Sequence, residues 1–325
     1  MNASTFVYGS ELQGRGYTTS TDLAFGSLTT IIGLVAFMGG ILNLYLIKNV
    51  KAFRSAFGFF WAARTVGELG NEFVYAAYTG PVTILQPANI PGHIGVFFYH
   101  FGFAFTYIQC VMHWAVALNR LVAVWLPIYY RRIFSKRLCV IVVLVICIKA
   151  LMVISLYFIF PCNHIGYSPR FHENVFVKCS PELDRDFSLI APTLYKTCFA
   201  VACAGTAVIN LITFVKIAYI RATSQAVYNQ KEFQKDVRLF FLGVVQDVVM
   251  TSVVATVIFC NNDKNASDLG ILLSYDGIVF IYIVNTLSMV FFNRECRSYL
   301  FGKIRRAHVT STASGTFMKD TSQKN

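Results

Sequence analysis

The sequence predicts an all-α membrane protein, a bundle of seven transmembrane helices with the N-terminus outside. Three observations predict this fold. Of the 325 residues, 56% are hydrophobic and only 14% are charged, whereas a soluble domain is about 25% charged and less than half apolar. The apolar residues form seven long segments, and the basic residues gather on one side of them. Such a composition excludes a soluble enzyme, a disordered chain and a fibrous repeat.

The seven segments come from the length rule for membrane helices. A helix needs about 20 predominantly apolar residues to cross the hydrocarbon. The connections are short, and the longest runs from Pro161 to Asp186. No internal repeat is visible, in contrast to many transporters. The predicted spans are Leu23–Ile47, Ala56–Tyr78, Gly95–Leu126, Cys139–Phe160, Phe187–Tyr219, Leu239–Cys260 and Leu269–Phe292.

Four regions follow from these spans. Residues 1–22 are predicted to be an extracellular N-terminus, and residues 23–292 form the bundle. Residues 293–306 combine one apolar face with several basic residues, which is typical of an amphipathic helix lying on the inner leaflet. Cys296 on that apolar face is either a bare thiol or a palmitoylation site. Residues 307–325 are rich in Ser and Thr and are predicted to be a disordered cytoplasmic tail.

The distribution of Lys and Arg predicts the orientation. Twenty of the 28 basic residues lie on the far side from the N-terminus, in the connections, in the C-terminal segment or, for Arg120 and Lys216, at the adjoining ends of spans. Five lie on the N-terminal side, and three lie deeper within spans. Because cytoplasmic loops carry the excess of basic residues, the N-terminus is predicted to be outside. The two N-x-S/T sequons, at Asn2 and Asn265, both fall on this outer side, where a glycan must lie.

The most informative stretch closes the third span, from Asn119-Arg120 through Pro127 to Tyr130. A lone arginine at a helix end usually extends its guanidinium to the bilayer surface. In the alternative interpretation Arg120 is a switch element, held inside the bundle in one state and released in another. The spacing of the neighbouring residues favours the second interpretation.

This spacing resembles that of rhodopsin-like G-protein-coupled receptors. Those receptors end their third span with Asp/Glu-Arg-Tyr, followed by Ala-Val, a Pro seven residues after the Arg and a Tyr ten residues after it. The chain has Arg120, Pro127 and Tyr130 at these offsets, but Asn119 replaces the acid and Leu121 replaces the Tyr. The resemblance implies that these residues take part in coupling to a G protein.

Two further spans extend the resemblance. Gly39 to Asn43 in the first span resembles the receptors' Gly-Asn signature, and Asn285 in the last span matches the Asn of Asn-Pro-x-x-Tyr. Thr286 replaces the Pro and Met289 replaces the Tyr, which leaves open a receptor with impaired coupling. The sixth span contains no Pro, so the usual kink is not expected.

The pattern of partial matches is more similar to nematode serpentine receptors of class x. Phe57-Gly58, Pro161-Cys162 and Gln246-Asp247 carry this resemblance, together with Asn119-Arg120. It implies a chemosensory receptor in the plasma membrane of a sensory cilium. The implied partners are the lipid bilayer, a heterotrimeric G protein and a small odorant or pheromone-like molecule, without a cofactor, a metal or nucleic acid. Whether the receptor is a dimer stays open, and no enzyme motif is present.

The cysteines differ from the rhodopsin-like pattern. The disulfide position at the outer end of the third span is Gly95 here, and Cys110 lies too deep in the span. Cys162 and Cys179 both lie in the second outer loop, on the oxidising side, and we predict that they pair. A bond to Cys260 and free thiols are the alternatives.

Charged residues inside spans are costly and therefore point to function. Arg64, Glu68 and Glu72 share one face of the second span. They form either an internal ion-paired stripe or a ligand or ion site near Glu72. With Asn43 and Asn71 they are the predicted intramembrane polar network. The residues Lys196, Gln246, Asp247 and Asp276 are the ligand-pocket candidates, each with the alternative of a structural hydrogen-bonding role.

Two other classes of membrane protein compete with a receptor. A retinal protein needs a Schiff-base lysine in the last span, and Leu269–Phe292 contains none. A seven-span channel or transporter-like protein, such as the insect odorant receptors, would have the inverted orientation. The distribution of basic residues opposes that orientation.

Overall fold

The computed structural model describes residues 7–159, 163–178, 190–223, 230–260 and 268–302. Within these ranges the chain is mostly helical, which confirms the prediction of a helical bundle. Seven of the described helices have 19 residues or more. They are α1 (Ser20–Asn49), α2 (Ala56–Val74), α4 (Gly92–Trp125), α6 (Lys136–Ile159), α7 (Ile190–Ala222), α8 (Gln230–Cys260) and α9 (Asp268–Phe292); the short helices are α3 (Gly80–Leu85), α5 (Tyr130–Ile133) and α10 (Arg294–Gly302).

Four of the described helices are long and apolar enough to cross a membrane. They are Ser20–Asn49, Gly92–Trp125, Lys136–Ile159 and Thr197–Ala222. A fifth is added if Asp276–Phe291 and Arg294–Gly302, which meet at 83°, form one bent span. Helix α2 carries three charged residues, which lower its hydropathy even though their side chains are buried.

Many large apolar side chains of these helices face outward, unlike those of a soluble bundle. Helix α6 buries only four of its 24 residues, and Leu144, Leu151 and Met152 are among its exposed side chains. An apolar outer surface together with a polar interior is stable in lipid but not in water. The surface therefore indicates a membrane protein.

Helix α2 reaches α3 through a π-helical turn at Tyr75–Thr79. Pro81 follows directly, in the first turn of α3. Because proline has no N–H to donate, it is best tolerated in a first turn. Helix α8, in contrast, runs uninterrupted from Gln230 to Cys260, as expected of a segment without proline.

Within the described residues, a β-hairpin in the longest connection departs from the predicted all-α fold. Strand β1 (Ile165–Ser168) pairs antiparallel with β2 (Glu173–Phe176). The hairpin contacts α4, and Leu12 from the N-terminal segment packs with Val96 of α4 and with Val175 and Val177. The hairpin and the N-terminal segment thus close one end of the bundle, called here the N-terminal end.

Asp22 joins the polar groups of this closure. Its buried carboxylate caps α1 by accepting from the Thr19 backbone N–H at 2.9 Å. It also accepts from Arg15 at 2.5 Å and from Gln86 at 3.0 Å, and it lies 2.7 Å from His172 Nε2. One carboxylate therefore connects the N-terminal segment, α1, the end of α3 and the turn of the hairpin.

Candidate functional site

Arg120 lies near the opposite end of the bundle, called here the Arg120 end. Its side chain is 4% exposed and turns toward α8 instead of toward the surface. The guanidinium donates to the Phe240 carbonyl oxygen at 3.1 Å and to Asp247 Oδ2 at 3.5 Å, and its Nε donates to the Val116 carbonyl oxygen at 3.3 Å. Helix α8 thus supplies the counter-charge that residue 119 lacks.

Asp247 is the centre of the first of two buried polar clusters. Its Oδ1 lies 2.5 Å from His113 Nδ1, and its Oδ2 accepts from Asn210 at 2.7 Å. Gln109 Nε2 lies 3.2 Å from the other ring nitrogen of His113. A buried carboxylate is stable only when cations and hydrogen bonds surround it. Asp247 therefore connects α8 to α4 and α7 through hydrogen bonds and an ion pair.

Gly243 makes room for the Arg120 guanidinium one turn before Asp247. A Cβ atom at this position would stand 1.9 Å from Arg120 Nη1. Any side chain larger than hydrogen would displace the guanidinium, because the end of an arginine is more easily moved than the helix backbone. The observed position of the guanidinium thus requires glycine at this position.

The second cluster joins α2, α8 and α9. Arg64, fully buried, pairs with Glu68 at 3.3 Å and donates to Gln246 Oε1 at 2.9 Å. Asn285 Nδ2 donates to Glu68 at 2.8 Å, while Gln246 Nε2 donates to Ser288 Oγ at 2.8 Å and to the Asn285 carbonyl oxygen at 3.1 Å.

Helix α8 connects the two clusters through consecutive residues. Gln246 and Asp247 are about 100° apart around the helix axis, so one reaches α2 and α9 while the other reaches α4 and α7. A rotation or displacement of α8 would change both sets of contacts together.

The remaining predicted network residues make separate contacts. Asn43 donates to Thr286 Oγ1 at 2.9 Å, and Asn71 donates to the Tyr282 hydroxyl at 3.1 Å. Glu72 is buried, and its Oε2 has no hydrogen-bond partner among the described residues. The threonine that replaces the receptors' proline therefore serves α1 as a hydrogen-bond acceptor.

The ligand-pocket candidates do not form one group. Gln246 and Asp247 belong to the two clusters, and buried Asp276 accepts from Thr29 at 2.9 Å. Lys196 lies in α7, but its side chain is outside the described part of the structure. Other predictions outside the described residues are the Cys162–Cys179 disulfide and the glycans at Asn2 and Asn265.

A small cavity adjoins Asp247. It measures about 10 Å³ and is lined by residues of α4, α7 and α8, including His113 and Thr206. This volume is at the lower limit for one water molecule. Within the described ranges, His, Cys, Asp and Glu side chains form no group of three placed to hold a metal ion.

Of the other predicted switch residues, Asn119, Pro127 and Tyr130 lie at the Arg120 end of α4, whereas Asn285 belongs to the second cluster. The Tyr130 hydroxyl donates to Asn119 Oδ1 at 3.1 Å across the turn that contains Pro127. Asn119, Arg120, Pro127 and Tyr130 line a cavity of about 960 Å³. The motif therefore borders open space on one side and the first polar cluster on the other.

Sequence reasoning missed several members of the clusters. His113 lies seven residues before Arg120 and hence on nearly the same face of α4. That spacing was the available signal. No such signal in the sequence marks Asn210, Gly243 or Ser288, because their roles depend on which helices pack together.

The comparisons with known proteins agree with this architecture. A family model described as "Serpentine type 7TM GPCR chemoreceptor Srx" matches residues 28–299. No curated protein matches significantly. The match covers most of the chain, including all five long helices that contribute to the two clusters, and it describes a family of receptors, not of enzymes. The chain therefore belongs to the Srx family of serpentine seven-transmembrane G-protein-coupled chemoreceptors.

Proposed function

We propose that the protein spans the membrane seven times with its N-terminus outside, binds a small molecule from that side and activates a heterotrimeric G protein at the Arg120 end. The observation that carries the proposal is the position of Arg120. Its guanidinium is bound internally by Asp247 and the Phe240 carbonyl oxygen. A buried cation whose partners lie on another helix can be released when that helix moves.

The internal binding of Arg120 corresponds to a closed state. An apolar cluster packs α4, α7 and α8 together beside Arg120. It consists of Val124, Ile217, Val237 and Phe240. In the proposed open state α8 moves away, the cluster separates and Arg120 becomes available to the G protein. A ligand favours this state only by binding it more tightly than the closed state.

The ligand is proposed to be an odorant or pheromone-like molecule that binds between the outer halves of the third, fifth, sixth and seventh spans. Lys196 and Asp276 are the candidates for direct contact, because both lie in the outer thirds of their helices. Gln246 and Asp247 transmit the movement of α8 instead. The receptor is proposed to act in the plasma membrane, in a sensory cilium as its family implies.

The proposed outer surface is covalently modified. The Cys162–Cys179 disulfide would hold the loop that contains the β-hairpin, and Asn2 and Asn265 would carry glycans. Peptide mapping without reductant tests the disulfide, and finding both thiols open to alkylation contradicts it.

Nucleotide exchange on purified Gα tests the proposed activity. Receptor in nanodiscs is screened with small odorant and pheromone-like compounds, and any active compound is tested on Arg120→Ala and on Arg132→Ala. We expect loss of ligand-stimulated exchange in Arg120→Ala alone, because Arg132 is an exposed residue of the same face. Full activity of Arg120→Ala contradicts the switch role, and the absence of exchange with every Gα class contradicts coupling.

A further inference from the structure

The cavity at the Arg120 end is large. Its volume is about 960 Å³, and its walls come from the turn between α1 and α2, the start of α2, the end of α4, α5, the start of α6 and Leu239 of α8. This volume is within the range of small-molecule sites. Leu239 of α8 belongs to one side of the cavity, so the opening of α8 proposed above would also change that side.

The charged residues of the cavity wall are all basic. Lys51 and Arg54 come from the turn between α1 and α2, and Arg131 and Lys136 come from α5 and the start of α6. All four are exposed, and none pairs with a carboxylate within the described residues. These four residues line the space with uncompensated positive charge, which favours a multiply charged anion.

A residue with a buried, unsatisfied hydrogen-bond donor lines the same space. Asn119 is 1% exposed and lines the cavity. Its Oδ1 accepts from Tyr130, whereas its Nδ2 has no hydrogen-bond partner among the described residues. Leaving a buried donor unsatisfied is unfavourable, and an anionic oxygen in the cavity would satisfy it.

The rim of the cavity continues into the lipid-facing surface. Phe59 of α2 is 41% exposed and Val140 of α6 is 44% exposed, and both belong to the cavity wall. A ligand with an anionic head and an apolar chain could therefore place its head among the basic residues and leave its chain in the bilayer. Basic pockets on the cytoplasmic side of membrane proteins bind lipid headgroups in this way.

We propose that this cavity binds the phosphorylated headgroup of an inner-leaflet phosphoinositide. The four basic side chains contact the phosphates, and Asn119 Nδ2 donates to one phosphate oxygen. The assignment to the inner leaflet rests on the orientation under Proposed function, whereas the binding site itself does not.

Native mass spectrometry of the purified receptor tests the site. The full chain is placed in phosphatidylcholine nanodiscs that contain phosphatidylinositol bisphosphate or, for comparison, phosphatidylserine; soluble inositol trisphosphate is tested separately. The variants are Arg131→Gln/Lys136→Gln and Asn119→Asp. The matched control is Arg132→Gln/Arg137→Gln, which removes two exposed charges of the same loop outside the cavity.

We expect the receptor to retain the bisphosphate lipid in preference to phosphatidylserine. Loss of two basic residues from the wall should weaken this binding about 30-fold, Asn119→Asp should weaken it as well, and the control pair should bind like the natural chain. Equal losses in the two double variants, or no retention of the lipid by the natural chain, overturn the site. Binding of soluble inositol trisphosphate as tight as that of the lipid overturns the membrane source of the headgroup. Because binding in nanodiscs has no sidedness, an inverted orientation leaves these results unchanged and is detected separately by tag accessibility.

Discussion

Asp247 supplies the negative charge that rhodopsin-like receptors place directly before their arginine. In this chain that position is Asn119, which instead accepts a hydrogen bond from Tyr130. The carboxylate that Arg120 meets lies 127 residues further along the chain, on α8. The proposed closed state therefore depends on a contact between α4 and α8. Single substitutions on either helix can test whether this contact limits activation.

Replacing Asp247 with Asn should raise basal nucleotide exchange. The change keeps the shape of the side chain but leaves Arg120 buried without its carboxylate, and breaking a buried pair in this way costs about 3–5 kcal/mol. The closed state loses this stabilisation, so more receptor is open without ligand. Exchange on purified Gα, together with the thermal midpoint of the receptor, measures both effects.

A charge-matched control separates the switch from general electrostatics. Glu295→Gln also removes one carboxylate, but from an exposed position on α10. We expect basal exchange close to that of the natural chain. An equal rise in both variants would argue against a specific role for Asp247.

Replacing Gly243 with Ala should also raise basal nucleotide exchange, but by a different mechanism. The new methyl group would occupy the space of Arg120 Nη1, so the guanidinium must leave its site on α8. Alanine favours a helix by about 1 kcal/mol over glycine, and α8 itself should therefore stay intact. Basal exchange should rise without loss of helical content by circular dichroism.

Gly277→Ala is the control for this substitution. A Cβ atom at Gly277 of α9 would meet Val253 at ordinary contact distances of 3.6 and 3.8 Å. Basal exchange should stay unchanged. Unchanged exchange in Gly243→Ala as well would mean that the position of the guanidinium does not limit activation.

At the scale of elements, α8 is the helix that couples the two polar clusters. Gln246 bonds to α2 and α9, and Asp247 bonds to α4 and α7. Because hydrogen bonds between buried groups are broken at a cost, α8 has a small number of favourable positions instead of a continuous range. This is the property that a two-state switch needs.

The β-hairpin and the N-terminal segment form a second cooperating pair of elements, and their contact should weaken in acid. The Tyr8 hydroxyl lies 2.5 Å from His164 Nδ1, and burial lowers the pKa of His164 below its ordinary value of 6.5. The folded state thus favours the neutral ring. The contribution of the neutral His164 ring to stability is present above about pH 6.5 and is lost as the pH falls toward the lowered pKa.

Limited proteolysis of the N-terminal segment at pH 7.5 and pH 5 measures this change. Cleavage before Asp22 should become faster in acid. His164→Gln cannot gain a proton, so its cleavage should depend less on pH. Identical pH dependence in the two proteins would show that another group is responsible.

At the scale of the whole molecule, the distribution of basic residues predicts the orientation. An epitope tag before residue 1 should be accessible to antibody on intact cells, and a tag after residue 325 only after permeabilisation. The physical reason is that Lys and Arg in short loops are retained on the cytoplasmic side. The reverse labelling would indicate the orientation of the insect odorant receptors and would remove the basis for coupling at the Arg120 end.

Much of the fold follows from local properties of the chain. The helical bundle and the family were predictable, because apolar segments of sufficient length and short motifs are visible in the sequence. The β-hairpin was not, because strands of four residues within a long polar connection carry little periodic signal. Their formation depends on packing against α4 and Leu12.

The candidate site was predictable only in part. Arg120 stands out from its spacing to Pro127 and Tyr130, and Arg64 with Glu68 stands out because charges are rare inside spans. Their partners on α8 and α9 do not stand out, because 182 residues separate Arg64 from Gln246 and 217 separate Glu68 from Asn285. Contacts over such distances depend on how the helices are arranged.

The sequence by itself determined which segments are helical, which residues are too polar for lipid and which family the chain belongs to. These properties follow from hydropathy and spacing along the chain. Only the tertiary structure decided that Asp247 meets Arg120, that Gly243 makes room for the guanidinium and that Asn119 lines a basic cavity. The physical reason is that a buried polar group needs a partner, and the packing of helices selects which of the distant candidates comes within hydrogen-bonding distance.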